Sequence, residues 1–482
     1  MITFFNFLSI LYFNKLLFYN KLFCIIIRLK LKDGLKMKKI IIIGGVAAGM
    51  SAAAKARRLD KEAQITVYEK TEFVSWGACG IPYYVGGFFD DSNVMIARTA
   101  EATIKSGIDL KVKNEVIKID SKNKKVLVRD LETNKEFEDE YDKLLITTGA
   151  KAIIPNIENI NIGNVSTLKD FKDALNMKEK MKDNNIKNVA ILGAGFIAIE
   201  IAHALKHLGK TVSIIQRSDR IFGNKFDKEF SDLTIEHIKE KVDLHLNEKV
   251  LSLEADDKNN VKSLITDKGK YNVDYVVIAI GVIPNSDLAK ETGVKLSDNG
   301  AIIVDREGKT NIDSIYAAGD CATIYDKVLD EQNYIPLATG ANKLGRMVAN
   351  NLTGGEEKFL GSLGSACILA FEMELARTGI TEEEAKKRNI AYKTVTIKDL
   401  DHAHYYPNYE DLHIKLVYSA ENRKILGGQI AGKRGAVLRA DVIATAIYSG
   451  LTVDELGMLD LCYAPPFART WDALNVAGNA AK

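Results

Sequence analysis

The hydrophobic pattern near the start of the chain predicts a strand, a glycine turn, a helix and a second strand. The run at 39–43 is almost wholly isoleucine, which is typical of a strand buried on both faces of a parallel sheet. A glycine-rich turn follows at 44–49, and the Ala-rich stretch at 50–59 predicts a helix. A second apolar run at 65–69 completes the unit. This order of elements is typical of a dinucleotide-binding unit.

The same order of elements recurs further along the chain. An apolar run at 188–192 precedes a glycine turn at 193–198, a helical stretch at 200–208 and another apolar run at 211–215. One imperfect glycine turn also serves ordinary strand–helix packing, but a second copy favours nucleotide binding. Two units predict two dinucleotides held side by side, and the natural chemical reason is hydride passage from a nicotinamide to a flavin.

Each glycine turn has residues that suit contact with a pyrophosphate. Glycine lets the backbone approach the phosphates, and the following helix presents the positive end of its dipole. In the first turn, Val46 stands where the G-x-G-x-x-G pattern has its middle glycine. Glu69 ends the second strand and can accept a hydrogen bond from a ribose hydroxyl. The candidate cofactor-binding residues of the two units are Gly44, Gly45, Gly49, Glu69, Gly193, Gly195 and Glu200.

The second unit differs from the first in the residue that follows its last strand. An Asp or Glu there would repel the 2′-phosphate of NADPH, whereas this chain has Gln216, then Arg217 and Arg220. We therefore predict that Gln216 and Arg217 bind the cofactor and that NADPH is used at least as well as NADH. The alternative is that both arginines simply point into solvent.

Further glycine-bearing segments complete the predicted flavin site and define the domains. Apolar runs end in Gly149 and Gly281, and Asp320 follows Gly319 directly after another strand, where an acid can bind a ribitol hydroxyl. The predicted fold class is α/β with two Rossmann-like dinucleotide-binding domains. The predicted domains are an FAD-binding domain at 37–150 and 281–350, an inserted NAD(P)-binding domain at 151–280, and a C-terminal domain at 355–482.

Composition and charge exclude several classes of protein. The chain has 482 residues, of which 46% are hydrophobic and 27% are charged, so it is globular and long enough for several domains. The net charge of +2 is uneven, because 1–36 carry +5 and 37–482 carry −3. The main part therefore has no basic excess to recruit nucleic acid or an anionic membrane, and a nucleic-acid role is excluded.

The first 36 residues belong to a different kind of sequence from the rest. They are dominated by Phe, Ile, Leu, Lys, Asn and Tyr, and their apolar run ends at Asn14, too early to cross a bilayer. No small-residue cleavage site precedes Met37. We interpret 1–36 as a non-native upstream extension, and the alternative is a loose membrane anchor. No later apolar run reaches spanning length, so we expect a cytoplasmic protein without stable membrane association.

Cys79 is the candidate redox residue. The five cysteines are Cys24, Cys79, Cys321, Cys367 and Cys462, and none lies in a C-x-x-C pair. Cys79 lies among small residues just before a predicted helix, whose dipole would favour its thiolate. Cys321, Cys367 and Cys462 are interpreted as small buried hydrophobes. A single redox thiol acts through a sulfenic acid or through a mixed disulfide with a small thiol.

With both nucleotide units and the single redox cysteine, the chain resembles the FAD-dependent pyridine nucleotide-disulfide oxidoreductases over residues 37–482. It is similar to their one-cysteine branch, which holds coenzyme A-disulfide reductases, NADH oxidases and NADH peroxidases. The sequence Cys-Gly-Ile-Pro-Tyr-Tyr at 79–84 resembles most the coenzyme A-disulfide reductases. The resemblance implies FAD, with NADPH or NADH, and a Cys79 thiolate that attacks coenzyme A disulfide or a related small disulfide.

The resemblance also assigns residues outside the nucleotide units. The segments 401–407 and 461–467 are similar to two tyrosine-bearing segments of the branch's α+β dimerisation domain, which implies a homodimer. There the partner subunit's tyrosines hydrogen-bond or protonate the departing thiolate. The catalytic residues so implied are Cys79, Tyr463, and Tyr405 or Tyr406. The implied coenzyme A contacts are Ser51, Lys55, Arg58 and Ser75, and no metal site is expected.

Three other functions stay open beside coenzyme A-disulfide reduction. One of them, an electron-transfer flavoprotein that reduces a protein partner, would not need a thiol. An NADH oxidase or peroxidase would cycle Cys79 through a sulfenic acid, with oxygen or peroxide as the acceptor. A redox sensor that binds both nucleotides would reduce its flavin rapidly but turn over slowly with every acceptor.

Overall fold

The structure, a computed structural model, describes residues 37–482. The interpretation of 1–36 as an upstream extension lies outside the described residues.

The first part of the described residues begins with alternating strands and helices and continues with a run of strands. Between 37 and 152 they are β1 (Lys39–Ile43), α1 (Ala47–Leu59), β2 (Gln64–Glu69), α2 (Ile81–Val85), α3 (Ala100–Lys105), β3 (Asp109–Val112), β4 (Asn114–Asp120), β5 (Lys125–Asp130), β6 (Glu136–Glu140), β7 (Lys143–Ile146) and β8 (Ala150–Ala152). Short 3-10 helices lie at Ala78–Gly80 and Ser92–Met95.

The middle of the chain repeats this alternation. Between 153 and 290 the elements are β9 (Val165–Thr167), α4 (Phe171–Met181), β10 (Asn188–Leu192), α5 (Phe196–His207), β11 (Thr211–Ile215), α6 (Lys228–Ile238), β12 (Asp243–His245), β13 (Val250–Ala255), β14 (Val261–Thr266), β15 (Lys270–Asn272), β16 (Tyr275–Ile278), β17 (Val282–Pro284) and α7 (Asp287–Lys290).

The last part returns to the first domain and then forms a separate one. Between 291 and 352 the elements are β18 (Ile315–Ala317), β19 (Ile324–Asp326), β20 (Glu331–Asn333) and α8 (Ala338–Leu352). From 353 onward they are β21 (Ala366–Ala370), β22 (Met373–Gly379), α9 (Glu382–Lys387), β23 (Tyr392–Leu400), β24 (Asp411–Ser419), β25 (Ile425–Gly432), α10 (Ala436–Ser449), α11 (Val453–Gly457) and α12 (Ala473–Ala480).

The first nucleotide unit is a parallel sheet of five strands in the order β18-β7-β1-β2-β3. Alternate residues of β1 face two different cores. Ile40 and Ile42 pack against α1 and α8, whereas Ile41 and Ile43 pack toward the antiparallel sheet β4-β5-β6. Burial on both faces explains the unbroken isoleucine run. Because β18 completes the sheet, the chain leaves this domain after β7 and returns to it.

The second unit has the same three-layer arrangement. Its parallel sheet has the order β12-β11-β10-β16-β9. One face packs against α4, α5 and α6, and the other against the antiparallel sheet β13-β14-β15. The two chain segments that connect the units pair with each other as β8 and β17. The predicted fold class, two Rossmann-like domains, is confirmed.

The C-terminal domain is built differently, around an antiparallel sheet in the order β21-β22-β25-β24-β23. Apolar residues of α10, α11 and α12 cover one face of this sheet. This α+β arrangement is the one that the resemblance implies. In residues 37–482, no helix is both long and apolar enough to cross a membrane.

Candidate active site

A cleft of about 2940 Å³ runs along both glycine turns and has Cys79 on its wall. It lies beyond the carboxyl ends of β1 and β10, where parallel sheets of this kind bind their ligands. The predicted cofactor-binding residues that line it are Gly44, Glu69, Gly149, Gly193, Gly195, Glu200, Gln216, Arg217, Gly281, Gly319 and Asp320. The structure therefore brings most of the predicted residues to one place.

The two turns have matching backbone geometry at their first glycine. Gly44 has a φ of +104° and Gly193 a φ of +102°, values that side chains other than glycine rarely adopt. A Cβ atom on Gly44 would lie closer than 3.0 Å to the carbonyl oxygen of Thr147, and one on Gly193 would lie 2.5 Å from that of Ala279. Both turns thus press against the end of a neighbouring strand, which only glycine permits.

The remaining turn residues explain the imperfect motif. Val46 is the N-cap of α1 with a φ of −112°, so this position does not need glycine. Gly49 packs inside the turn, because a Cβ there would overlap the carbonyl of Gly44. Gly45 is similarly close to the Glu69 side chain. In the second turn, Gly195 caps α5 and a Cβ there would meet nothing within 4 Å, so space remains for a phosphate.

Two carboxylates suit the hydroxyl groups of an FAD. Glu69 is buried and accepts hydrogen bonds of 2.8 Å from the Gly45 amide and from Thr71, which ties the turn to the end of β2. A carboxylate keeps further acceptor capacity for a ribose hydroxyl. Burial raises the pKa of Asp320, which follows Gly319 on the cleft wall. The open glycine turns and these acceptors fit an FAD.

Cys79 lies in the turn Ala78–Gly80 that leads into α2, and it is exposed to the cleft. Burial of the thiol by the surrounding cleft walls raises its pKa, and the charges of Glu200 and Asp320 raise it further. Lys169 and a backbone hydrogen bond act in the opposite direction. The net shift is therefore opposite to the one expected from the dipole of the following helix, and α2 has only five residues.

Tyr83 is a site residue that the sequence reasoning missed. Its hydroxyl donates a hydrogen bond of 3.4 Å to Glu200 Oε1. Burial raises the pKa of Glu200 to about 7, and burial together with Glu200 raises the pKa of Tyr83 to about 12. The available signal was its place four residues after Cys79. The pair can hold a proton close to the redox thiol.

The other described cysteines do not all behave as predicted. Cys321 is buried and lies 3.5 Å from the carbonyl oxygen of Ile146, as expected for a small hydrophobe. The prediction of burial is wrong for Cys367 and Cys462, which are exposed. Cys367 alternates with buried Ile368 along the edge strand β21, so its side chain faces the cleft. Cys462 lies in the irregular segment beside Tyr463.

The two arginines of the loop after β11 lie in different environments. Gln216 Nε2 donates to Ser218 Oγ at 2.6 Å and to the Arg220 carbonyl at 3.3 Å. The Arg220 guanidinium forms a bidentate ion pair with Glu383 of α9. Arg217 lines the cleft, whereas Arg220 does not. The alternative that both arginines point into solvent is therefore wrong.

The predicted tyrosines are split between two environments. The hydroxyls of Tyr405 and Tyr463 lie 2.7 Å apart, and this bond raises the pKa of Tyr405. Both residues are exposed and do not line the cleft. Tyr406 instead packs edge-on against the His402 ring, with the ring centres 5.6 Å apart.

His402 anchors the loop that carries these tyrosines. Its side chain is 2% exposed, with Nδ1 at 2.8 Å from Asp401 Oδ1 and Nε2 at 3.2 Å from the Pro407 carbonyl oxygen. The histidine is thereby committed to holding the loop.

The predicted coenzyme A contacts lie beside the cleft and do not line it. Ser51, Lys55 and Arg58 follow one another along α1, and Ser51 donates a 2.6 Å hydrogen bond to Asn342. Ser75 has a φ of +51°, and its amide donates to the Gly45 carbonyl at 2.9 Å. The backbone strain at Ser75 thus fixes the chain between the first turn and Cys79.

Among residues 37–482, the acidic group Asp227, Glu229 and Glu382 has the spacing of a metal site. The buried ammonium group of Lys415 contacts all three carboxylates, at 3.1 Å from Asp227 and 2.6 Å from Glu382. This cluster joins the second nucleotide unit to the C-terminal domain.

Two dinucleotide turns that open on one cleft, with an exposed cysteine on its wall, are typical of a flavin-dependent NAD(P)H oxidoreductase. Residues 38–345 match the pyridine nucleotide-disulphide oxidoreductases, and residues 365–474 match the dimerisation domain of that family. The chain belongs to this family, and it is an FAD-dependent enzyme that uses NAD(P)H, as predicted.

Relatives of known name cover nearly the whole chain. A CoA-dependent NAD(P)H sulfur oxidoreductase from Pyrococcus furiosus is 38% identical over 448 residues, which is 93% of this chain and all of the relative. A coenzyme A disulfide reductase from Staphylococcus aureus is 33% identical over 451 residues, with 92% and 100% covered.

Solved structures show the same fold. The reduced CoADR-RHD of Bacillus anthracis has a TM-score of 0.88 at 34% identity, over 92% of this chain and 80% of that one. The water-forming NADH oxidase of Lactobacillus brevis, solved with NADH, also has a TM-score of 0.88, at 30% identity, over 92% of this chain and 98% of that one. Its engineered NADPH-oxidase mutant, solved with NADPH, gives 0.88 at 31% identity and the same coverage.

Proposed function

We propose that this enzyme reduces coenzyme A disulfide to two molecules of coenzyme A with NADPH or NADH, through a mixed disulfide on Cys79. The observation that carries the proposal is the exposure of Cys79 in the cleft that both glycine turns line. Two relatives, the CoA-dependent sulfur oxidoreductase and the coenzyme A disulfide reductase, are named for coenzyme A chemistry and support it.

One redox cysteine is sufficient to reduce a disulfide of two small thiols. The Cys79 thiolate attacks one sulfur of the disulfide, so that a mixed disulfide forms and the first coenzyme A thiolate leaves. When bound, FAD supplies the two-electron relay from NAD(P)H to this mixed disulfide. The second coenzyme A then leaves, and Cys79 returns to the thiolate. Each departing thiolate takes up a proton as it is released as a thiol.

The exposed pair of Tyr405 and Tyr463 leads us to include a homodimer in the proposal. Because Tyr405 and Tyr463 are exposed and lie outside their own cleft, we assign them to the cleft of the partner subunit. Only one of the two hydroxyls donates in their mutual hydrogen bond, so the other keeps a proton that can be donated to a leaving thiolate. The family's dimerisation domain at 365–474 supports this assembly.

Coenzyme A itself is assigned to the surface beside α1. The side chains of Lys55 and Arg58 carry cations that can pair with its phosphate groups. Ser75 offers a hydroxyl donor, and the Ser51 hydroxyl, which donates to Asn342, keeps an oxygen that can accept. Ser75 also lies close to Cys79 along the chain, so a disulfide bound there would reach the thiol.

For the nicotinamide coenzyme, we propose that NADPH is used as well as NADH. The engineered NADPH oxidase differs from its NADH-bound parent by five substitutions. They include a glycine changed to alanine and, 18 residues further on, Asp-Ala-Met changed to Ala-Arg-Ser. This chain has Ala198 and, 18 residues further on, Gln216-Arg217-Ser218. It therefore carries the arginine and serine, and lacks the acid, at the same spacing.

A second candidate function is an NADH oxidase with a sulfenic acid on Cys79. The Lactobacillus brevis enzyme, which has the same fold over 92% of this chain, favours it. The proposed location for either function is the cytoplasm, where NAD(P)H is available.

The test follows NADPH oxidation by the FAD-loaded full chain, anaerobically with coenzyme A disulfide and then in air without it. We expect fast turnover with the disulfide, its loss in Cys79→Ser, and no loss in the matched control Cys462→Ser. Fast turnover in air alone would overturn the reductase and favour the oxidase.

A further inference from the structure

The ion pair between Arg220 and Glu383 links the coenzyme loop to a different domain. Arg220 follows β11 in the second nucleotide unit, and Glu383 lies on α9 of the dimerisation domain. The Arg220 Nη2 atom is 2.7 Å from Glu383 Oε2, and Nη1 contacts the other carboxylate oxygen. Bidentate arginine–carboxylate pairs are among the stronger and more directional ion pairs in proteins.

The loop is built so that Arg220 faces α9. The backbone amide of Gln216 donates to the His245 carbonyl at 2.8 Å, which fixes the start of the loop. Ser218 Oγ donates to the Arg220 carbonyl at 3.0 Å, and the Gln216 side chain reaches both residues. These bonds leave Arg217 on the cleft wall and direct the Arg220 side chain toward Glu383.

The charges around this loop decide how strongly a 2′-phosphate is attracted. Arg217 and Glu383 both line the cleft, as Gln216 does. The phosphate carries roughly −1.5 to −2 charges near pH 7. Arg217 attracts the phosphate. The Arg220–Glu383 pair has no net charge, because the repulsion of the phosphate by Glu383 offsets its attraction by Arg220. Arg220 therefore adds little attraction as long as Glu383 neutralises it.

We propose that Glu383 of the dimerisation domain is a specificity-determining residue, which restrains NADPH preference by neutralising Arg220. The inference rests on the proposed use of NADPH at the second glycine turn. With the pair intact, the site accepts a coenzyme with or without the 2′-phosphate. Loss of the Glu383 charge leaves Arg220 as an uncompensated cation in the loop that carries Arg217.

The test measures the ratio of kcat/KM for NADPH to that for NADH with the FAD-loaded full chain. Glu383→Gln removes the negative charge but keeps an oxygen that can accept from Arg220, so the loop stays in place. We expect this variant to raise the ratio about tenfold, the size of effect that one nearby charge commonly has. The matched control is Glu384→Gln, the next residue of α9, which also lines the cleft but pairs with Arg388 and not with Arg220. We expect its ratio to stay within about twofold of the wild type.

The double variant tests whether the gain requires the Arg220 cation. Arg220→Gln alone leaves the Glu383 carboxylate uncompensated on the cleft wall and should lower the ratio. The same substitution in the Glu383→Gln background should abolish the tenfold gain and return the ratio to about that of the wild type. A double variant whose ratio stays as high as in Glu383→Gln, or an unchanged ratio in Glu383→Gln, would overturn the inference.

The variant Arg217→Ala distinguishes a failure of the proposed role of Glu383 from a failure of the proposed NADPH use. A lowered NADPH to NADH ratio in Arg217→Ala supports the 2′-phosphate site itself. If that ratio falls while Glu383→Gln has no effect, NADPH use stands and the role of Glu383 is refuted. If Arg217→Ala leaves the ratio unchanged, the 2′-phosphate site is refuted and the inference with it.

Discussion

Glu200 places a titrating carboxyl group near the thiol of Cys79. Its own pKa is about 7 because of burial, so it is mainly neutral at pH 6 and mainly charged at pH 8. Its charge raises the pKa of Cys79. Glu200→Gln should therefore lower the pKa of Cys79 and, at pH 8, speed its alkylation by iodoacetamide roughly twofold to fivefold. At pH 6 the variant and the wild type should react at the same rate.

Peptide mass spectrometry of the FAD-loaded enzyme measures this alkylation, with the exposed Cys462 as an internal reference. Glu179→Gln, on the exposed surface of α4, is the control for loss of a carboxylate. A rate ratio that does not rise between pH 6 and pH 8 would contradict the assigned influence of Glu200.

The tyrosine loop gives a second prediction for single residues. Tyr405→Phe removes the hydroxyl that bonds to Tyr463 and should lower kcat for coenzyme A disulfide at least tenfold, as loss of a positioned acid does. Tyr406→Phe should have a smaller effect, because Tyr406 packs on His402. Steady-state kinetics of the two variants compares them directly. The reverse order of effects would move the catalytic role to Tyr406.

The sequence predicted these residues to different extents. Cys79 and the turn glycines stand out locally, because their chemistry depends on neighbours within a few residues. Tyr83 and the exposed Cys367 did not, since their roles come from contact with α5 and from the strand that faces the cleft. The choice between Tyr405 and Tyr406 depends on Tyr463, 58 residues away.

At the scale of elements, the crossing of α1 and α8 supports the first glycine turn. A Cβ on Gly345 of α8 would lie closer than 3.0 Å to the carbonyl group of Ala48 in α1. Gly345→Ala should force the helices apart, displace the turn at Gly44 and cost about 1–3 kcal/mol of stability. The bound FAD per chain, measured from flavin absorbance, should fall.

Gly340→Ala is the matched control on the same helix. A Cβ there would lie 3.0 Å from the end of the Ile324 side chain, which can move aside. Its FAD content should stay close to that of the wild type. Equal FAD loss in both variants would mean that the close helix crossing is not what holds the turn.

Elements of the two nucleotide units could be predicted well and the smaller sheets could not. The runs at 188–192 and 211–215 coincide with β10 and β11, because strands buried on both faces are continuously apolar. Helix α1 begins three residues earlier than predicted, inside the glycine turn itself. The antiparallel strands β4–β6 and β13–β15 are partly exposed, and their mixed pattern gives little signal.

For the whole molecule, Lys415 holds the second nucleotide unit to the dimerisation domain. Burial alone would lower its pKa, but hydrogen bonds to Glu229 and Glu382 and the charge of Asp227 raise it instead. Lys415→Met would leave the buried Asp227 charge uncompensated, at a cost of about 3 kcal/mol or more. We expect the melting temperature, followed by circular dichroism, to fall by roughly 5 °C.

The control for this prediction is Lys398→Met. Its exposed ammonium group lies 2.8 Å from Asp411, and such surface pairs contribute about 0–1 kcal/mol. A melting temperature for Lys415→Met that matches the control would show that the buried cluster does not stabilise the domain contact.

Contacts between domains were the part that the sequence could not predict. Arg220 and Glu383 are 163 residues apart, and Lys415 is 186 residues from Glu229. Nothing in the local pattern of α9 or β24 indicates these partners, because ion pairs of this kind form only once the domains have docked. For this reason the sequence-based prediction of coenzyme preference named Gln216 and Arg217 but not Glu383, whose carboxylate opposes the attraction of the 2′-phosphate.

The most direct test of the central claim is peptide mapping of the full chain after reaction with coenzyme A disulfide. The account predicts one coenzyme A adduct, on Cys79, which anaerobic NADPH releases in the FAD-loaded enzyme. Cys367 and Cys462 should stay unmodified under the same conditions. An adduct on Cys367 in place of Cys79, or an adduct on Cys79 that NADPH leaves intact, would contradict the proposed reduction.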